Sequence, residues 1–369
     1  MQFIYNQALN IHSLRKIIKM DNIVFPTLAE LNAHGISNAQ AQEMEDLHTY
    51  GQKTTVRPTV AHMEHILYKP FLVLNHGFLR VIDYMGNQAA VVQAARVSYG
   101  HGTTKLRSDI GLLRYMLSHQ HGTPFEMCEI KIHVKMPIFV ARQWIRHRTA
   151  NVNEYSARYS ILDREFYIPA PEHMAAQSNE NRQGRGSVLT PNQAIVIRDL
   201  LLEDAQRNYD HYEAMLGESE ENPDGNDNVD RLINDSDDFP GLAKELARMN
   251  LTLNTYTQWY WKCDLRNFLN FLALRADAHA QYEIRVYADI LLNQVLKGWL
   301  PDVYTAFMDY NVNAVTFSAP MMHIMRDVII AKCLMEELHL FITPSRYPTL
   351  LITERECAAM VKSIRGTTT

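Results

Sequence analysis

Residues 129–136, EIKIHVKM, alternate strictly between apolar and polar. Ile130, Ile132, Val134 and Met136 fall on one side of an extended chain; Glu129, Lys131, His133 and Lys135 fall on the other. Successive side chains of a strand point to opposite faces, so this segment is a half-buried strand. A strand needs a partner. FLRVIDYMG at 78–86 reads as a second one, ending in a Met-Gly-Asn turn. Asn87 stands where it can cap the helix AAVVQAARVS that follows. RSDIGLLRYMLSH at 107–119 reads as an amphipathic helix with Ile110, Leu113 and Met116 near one face.

Beyond the strand the pattern turns helical. Pro137 suits a first helical position, and IFVARQWIRHR carries the helix to Arg148. Residues 149–160 read as irregular and polar, and 177–187 as a polar loop. A helix spans 191–216. Residues 218–238 hold nine acids against one arginine and read as a solvated, mobile insertion. Residues 241–298 read as largely helical with an interruption near 253–258, and 299–369 mix short elements. Strand, helices, strand and then mostly helix makes an α+β chain. It lacks the strand–helix alternation of a doubly wound sheet. No GxGxxG or GxxxxGK[ST] is present.

Composition narrows the class. Against 36 Lys and Arg stand 41 Asp and Glu, a formal charge of −5. A general nucleic-acid coater needs the opposite balance. Cys128, Cys263, Cys333 and Cys357 form no CxxC pair, so a disulfide scaffold and a zinc ribbon are both excluded. His62 and His65 lie one helical turn apart without a further ligand nearby, so they read as helix histidines and no metal is expected. No apolar run reaches the ~18 residues of a membrane span. Arg15, Lys16 and Lys19 without an acid in residues 1–20 give a weak transit-peptide pattern; the reading is cytoplasmic.

Chemistry concentrates in two places. Arg142-Gln143-Trp144-Ile145-Arg146-His147-Arg148 sets three arginines and a histidine in seven residues. Three consecutive helical residues spread over about 200°, so Arg146, His147 and Arg148 cannot share one environment. Arginine matches phosphate with two parallel hydrogen bonds, so a polyanionic cofactor would suit this segment. A basic helix end paired with acids elsewhere explains it equally. The second cluster is Arg266, Asn270, Arg275 and His279. Its two i, i+4 pairs fall on roughly opposite faces of a straight helix. Either the helix breaks near Ala276-Asp277, or the faces serve different sites, as across a subunit interface.

RHR at 146–148, seven residues, then Ser156 resembles the signature of the flavin-dependent thymidylate synthases. HGTPFE at 121–126, HVKMPIFVARQW at 133–144, NEYSARYS at 153–160, EFYIPAPE at 165–172, LRADAHAQYEI at 274–284 and NAVTFS at 313–318 agree with it. The resemblance implies a fold like that of thymidylate synthase-complementing proteins: a small antiparallel sheet flanked by several helices, with a mostly helical C-terminal half. It implies a catalytic domain over 78–318 with an acidic insertion near 218–238, between an extension over 1–77 and another over 319–369. It further implies reductive methylation of deoxyuridine monophosphate (dUMP) to thymidine monophosphate (dTMP). Methylenetetrahydrofolate is the carbon donor, reduced FAD the hydride donor and NADPH the reductant, in a homotetramer with shared active sites.

Carried onto this sequence, the resemblance gives FAD contacts at Ser98, Thr123, Arg146, His147, Arg148, Asn153, Glu154, Asp264, Arg266, Asn270 and His279. It gives dUMP contacts at Gln143, Glu154, Ser156, Ala157, Arg158, Arg248 and Arg275. Arg275 is the group that polarises the uracil, and His121 lies near the flavin and folate. Asp264 replaces an amide found in some members, and Met127 a frequent histidine. Neither cysteine near the strands has the setting of an activated thiolate, and Ser156 has no evident base. Activation of the uracil therefore falls to electrostatics. A flavin enzyme acting on another pyrimidine nucleotide remains the alternative.

Overall fold

The computed structural model describes residues 24–369 except 51–54, 98–105, 180–183, 220, 235–238, 332–341, 343, 347–353 and 366–369. Ser98, Cys333 and the basic segment 1–20 lie outside the described residues. Residues 23–312 form one compact unit, and 313–369 belong to a second.

The first unit opens with helices α1 (Leu28–Ala33), α2 (Asn38–Tyr50) and α3 (Ala61–Ile66). Strands β1 (Phe71–Val73) and β2 (Gly77–Met85) follow, then α4 (Gln88–Val97) and α5 (Leu106–Ser118). After a 3₁₀ turn at Thr123–Met127 come β3 (Glu129–Pro137), α6 (Ile138–Trp144) and β4 (Asn151–Glu154). A hairpin of β5 (Ala175–Gln177) and β6 (Arg185–Val188) leads to the long α7 (Pro191–Leu216), then α8 (Asp227–Asn234) and α9 (Lys244–Ala247). Strand β7 (Tyr256–Asp264) runs directly into α10 (Leu265–Arg275), and α11 (Tyr282–Ile290) continues through a π-helical stretch at Leu291–Leu296.

The main sheet has the order β1-β2-β3-β7-β4, every pair antiparallel. The alternation of β3 is realised: Ile130, Ile132, Val134 and Met136 are fully buried against Trp261, Phe268, Phe271 and Leu272. Its polar face is covered too. Arg80 Nε donates to His133 Nδ1 at 3.1 Å, and His133 stacks on Tyr260. Helices α1 and α2 reach this side, where Ile36 and Met44 bury Phe78. The described residues between 24 and 77 therefore pack into the same body as the sheet. A cavity of about 120 Å³ lies here, lined by Arg80, His133, Lys135 and Gln258 among others, and by none of the candidate site residues.

Several local expectations meet the structure. Gly86 takes a φ of +89° after β2, and a Cβ there would lie 2.6 Å from Cys128 Sγ, so the Met-Gly-Asn turn requires glycine. Asn87 Oδ1 accepts from the Ala90 amide, capping α4. Of the three residues placed near one face of α5, Leu113 and Met116 are buried but Ile110 is 43% exposed. Steps of three drift by about 60° per step, which carries the first of them off the face. The helix over 191–216 is present, opened by a reciprocal box between Thr190 and Gln193 and closed by Gly217 at φ +73°.

Four readings are corrected. α6 stops at Trp144, with Pro137 outside it as the cap, so Arg146–Arg148 lie in a turn rather than on a helix. Residues 151–154 are the edge strand β4, not irregular chain. Residues 256–264 are a sheet strand, not a gap in a helical region: Thr257, Trp259, Trp261 and Cys263 are buried on one face, and the exposed aromatic Tyr260 on the other blurs the alternation. Part of the acidic insertion forms α8, whose Val229 is buried, and Asp224 pairs with His211 of α7 at 2.8 Å.

In the second unit, α12 (Ala319–Ala331) and α13 (Glu354–Arg365) pack through Met322, Val361 and Ile364. NAVTFS at 313–318 falls in this unit. Among the described residues no helix is long and apolar enough to cross a membrane.

Candidate active site

The turn after α6 and the end of α10 meet. Trp144 is fully buried and stacks on Phe271 with centroids 4.5 Å apart, locking the two helices together. That contact sets His147 edge-on to Phe271 and brings Arg275 Nε within 3.0 Å of His147 Nε2. Guanidinium can only donate, so His147 accepts through Nε2 and carries its proton on Nδ1. Burial, and then the Arg275 charge, lower the His147 pKa from 6.5 to about 4. The ring is neutral at physiological pH. Arg146 and Arg148 flank it, exposed and without an ion pair among the described residues. Of the two explanations for this basic segment, pairing with acids is not what the described residues do.

α10 ends at Arg275, so the helix does break at Ala276. His279 lies in the following turn, exposed, its Nδ1 2.9 Å from Asp277 Oδ1. Asn270 is exposed on the helix. Arg266, at the other end of α10, lies over Gly122, where a Cβ would sit 3.1 Å from its Nε. Thr123, next in sequence, is exposed at the head of the 3₁₀ turn. His121 is exposed and meets Tyr115 edge-on.

Asp264 acts on its own helix. Oδ1 accepts from the Asn267 amide at 2.8 Å and Oδ2 from Asn267 Nδ2 at 2.7 Å, so it caps α10. Asp264→Ala should cost about 1 kcal/mol in thermal or chemical unfolding, whereas Asp264→Asn should change stability by only a few tenths. Equal losses would deny the cap.

A second cluster gathers around Glu245. Arg158 pairs with its carboxylate at 3.2 Å, and Arg248 Nε donates to its carbonyl at 3.2 Å. Two forks thus stand at one place, where an incoming phosphate could displace a solvent-exposed carboxylate. Ser156 Oγ accepts from the Arg158 amide at 3.3 Å, shaping the turn, and Ala157 is buried beneath it. Glu154, on β4, accepts from Thr257 Oγ1 at 2.8 Å, and Asn153 is exposed beside it.

Gln143 leads to residues that sequence reasoning missed. Its Nε2 donates to Gln281 Oε1, and Gln281 Nε2 donates to Glu283 Oε2 at 2.9 Å. Glu283 is 1% exposed and is held by Arg185 at 2.6 and 2.7 Å and by the Tyr167 hydroxyl at 2.9 Å. Burial pushes its pKa up, but the Arg185 bonds and charge leave it below the usual carboxylate value. The residue pattern held one signal: a Gln-x-Glu opening a helix of apolar character.

Neither sheet cysteine is an activated thiol. Burial pushes Cys128 up to about 12, and burial with Asp264 and Glu129 pushes Cys263 up as well. Both are buried. Among the described residues no cluster of three metal-ligating side chains forms.

The neutral His147 has a measurable consequence. An unfolded histidine takes a proton near pH 6.5, whereas folded His147 stays neutral down to about 4. The unfolded state binds more protons in that window, so its stabilisation is complete above pH 6.5 and is lost as the pH falls towards 4. His133, also lowered to about 4 by burial and Arg80, adds to the same slope. His147→Gln should flatten part of it in denaturation midpoints measured across the window. An unchanged slope would exclude a buried neutral His147.

The chain is similar to known proteins. Residues 80–302 match the family model described as thymidylate synthase complementing protein. The flavin-dependent thymidylate synthase of Gluconobacter oxydans is 57% identical over 291 residues, spanning 79% of this chain and 89% of that one. The enzyme of the same name from Ruegeria pomeroyi is 53% identical, covering 82% and 93%. Among solved structures, the UMP/dUMP methylase PolB of Streptomyces cacaoi bound with 5-Br dUMP aligns with a TM-score of 0.52 and 27% identity, over 66% of this chain and 99% of that one. With the antiparallel sheet, the helices around it and the RHR turn meeting the end of α10, the chain belongs to the flavin-dependent thymidylate synthase family.

Proposed function

We propose that this chain reductively methylates dUMP to dTMP, with methylenetetrahydrofolate as carbon donor and NADPH as reductant. The observation that carries the reading is the His147–Arg275 contact, which joins the RHR turn to a helix end 128 residues away. Arg146 and Arg148, without an ion pair among the described residues, and Arg266 beside Gly122 give a donor set suited to the phosphates of a dinucleotide. These residues, with Ser98, Thr123, Asn153, Glu154, Asn270 and His279, would hold FAD, which when bound and reduced supplies the hydride.

The chain's own residues do the rest. Arg158 and Arg248 bind the 5′-phosphate, while Gln143, Glu154, Ser156 and Ala157 orient the nucleotide. Arg275 spends Nε on His147, and its terminal nitrogens carry no bond to a described residue. They donate to the uracil as negative charge develops. His147 holds the guanidinium in place through Nε2 without adding a charge. His121 lies near the folate. The buried thiols of Cys128 and Cys263 favour this route over thiolate attack.

A homotetramer with shared active sites fits the exposure of the candidate residues in one chain. It also fits α7, where Ile195, Val196 and Leu200 are each more than half exposed. The proposed setting is cytoplasmic, with small-molecule partners, no nucleic acid, no membrane and no metal. The test is anaerobic turnover of dUMP, methylenetetrahydrofolate and NADPH with and without FAD. FAD-dependent dTMP supports the reading. FAD bound without product overturns the substrate assignment, and a parallel assay with UMP, prompted by PolB, would then identify a different pyrimidine nucleotide.

A further inference from the structure

Side-chain amides can usually turn either way, because their oxygen and nitrogen ends are alike in shape. Here the chain Arg185–Glu283–Gln281–Gln143 removes that freedom. Arg185 can only donate, and an ionised carboxylate can only accept. Glu283 therefore accepts from Arg185 and Tyr167, and the amide facing its other oxygen must present nitrogen. Gln281 is thereby oriented with Oε1 towards Gln143, and Gln143 must answer with Nε2. The end of Gln143 left over is its carbonyl oxygen.

We infer that Glu283 and Gln281 are positioning residues that fix the amide of Gln143, so that Gln143 offers an acceptor to the nucleotide and selects for a ligand with a hydrogen to donate there. The inference rests on the proposed role of Gln143 in binding dUMP. That nucleotide has two donors of the required kind: the ring N3–H and the sugar 3′-hydroxyl. An acceptor covered by a ligand that brings no hydrogen is left unsatisfied, so discrimination is strong.

The relay makes an unusual forecast for Glu283→Gln. Arg185 and Tyr167 still donate, so the new amide turns its oxygen to them and its nitrogen to Gln281. Gln281 reverses, Gln143 reverses with it, and the nucleotide then meets an N–H. Gln281→Lys reaches the same end without touching the buried pair: its ammonium can only donate, so Gln143 must turn its oxygen inward.

The experiment is calorimetric binding to the FAD-loaded assembly of dUMP, N3-methyl-dUMP and 3′-O-methyl-dUMP. The unmodified protein should bind one of the two probes at least tenfold more weakly than dUMP, which identifies the donor. Both variants should lose that ratio, with dUMP falling towards the affinity of the probe, while Arg185→Lys retains it. If Glu283→Gln fails to fold, Gln281→Lys decides. An unchanged ratio in Gln281→Lys, or no penalty for either probe in a protein that binds dUMP, overturns the inference and leaves the proposed function standing. Failure of the unmodified protein to bind dUMP overturns both.

Discussion

Replacing Arg275 by alanine is expected to lower kcat by about two to three orders of magnitude while changing the Kd for dUMP only a few-fold. The magnitude is that of removing one donor aimed at developing charge in a water-poor site. The phosphate would remain held by Arg158 and Arg248, which cluster at Glu245 and not at α10, so affinity has an independent source. Burial lowers the Arg275 pKa, yet guanidinium stays charged under all working conditions, so the residue acts as a fixed donor and not as a proton carrier. Arg275→Lys separates charge from geometry. A single ammonium cannot donate to His147 and also present two parallel N–H groups, so it should recover little activity. Stopped-flow single turnovers with saturating nucleotide measure the chemical step, and equilibrium titration measures binding. A loss confined to affinity would remove the activating role.

Trp144→Ala is expected to destabilise the folded chain by about 3–5 kcal/mol, the usual cost of emptying a fully buried indole site. Trp144 touches Phe271, Trp259, Trp261 and Tyr287, so the void would open between the sheet and both helices that carry the site. The loss should reach function as well as stability. With the stack gone, the distance between the RHR turn and Arg275 rests on the contacts of His147 alone, and kcat should fall even at temperatures where the variant is folded. Trp144→Phe keeps a stacked ring and should be milder on both counts. Urea midpoints and turnover on the same preparations test this; normal activity in a folded Trp144→Ala would show that the site does not depend on the stack.

Much of this was legible in the residues, for reasons that differ by element. β3 shows itself because only one of its faces is apolar. The helix over 191–216 shows itself through length and its Thr190 box. β7 does not, because Tyr260 on its exposed face is an aromatic between the buried Trp259 and Trp261, so three large rings in a row blur the alternation. β4 is four residues, three of them polar, whose strand character comes from pairing with β7. The RHR turn reads as helix because no glycine or proline marks the end at Trp144. The break after Arg275 was legible as one of two options, since the spacing of the polar pairs made a straight helix awkward. The Glu283 relay was not, because its partners Arg185 and Gln143 lie 98 and more residues away.

The pairing of β4 with β7 sets how this region can change length. Asn153 lies opposite Tyr260 and Glu154 opposite Trp259. An insertion of one residue inside β4 would exchange the two side chains across the sheet, sending Asn153 to the face where Glu154 now meets Thr257. The turn at 145–150 keeps no strand register, but it holds His147 against Arg275. Neither segment therefore tolerates a change of length, and grafts of the signature into other scaffolds should carry the turn, β4 and its partner strand as one piece.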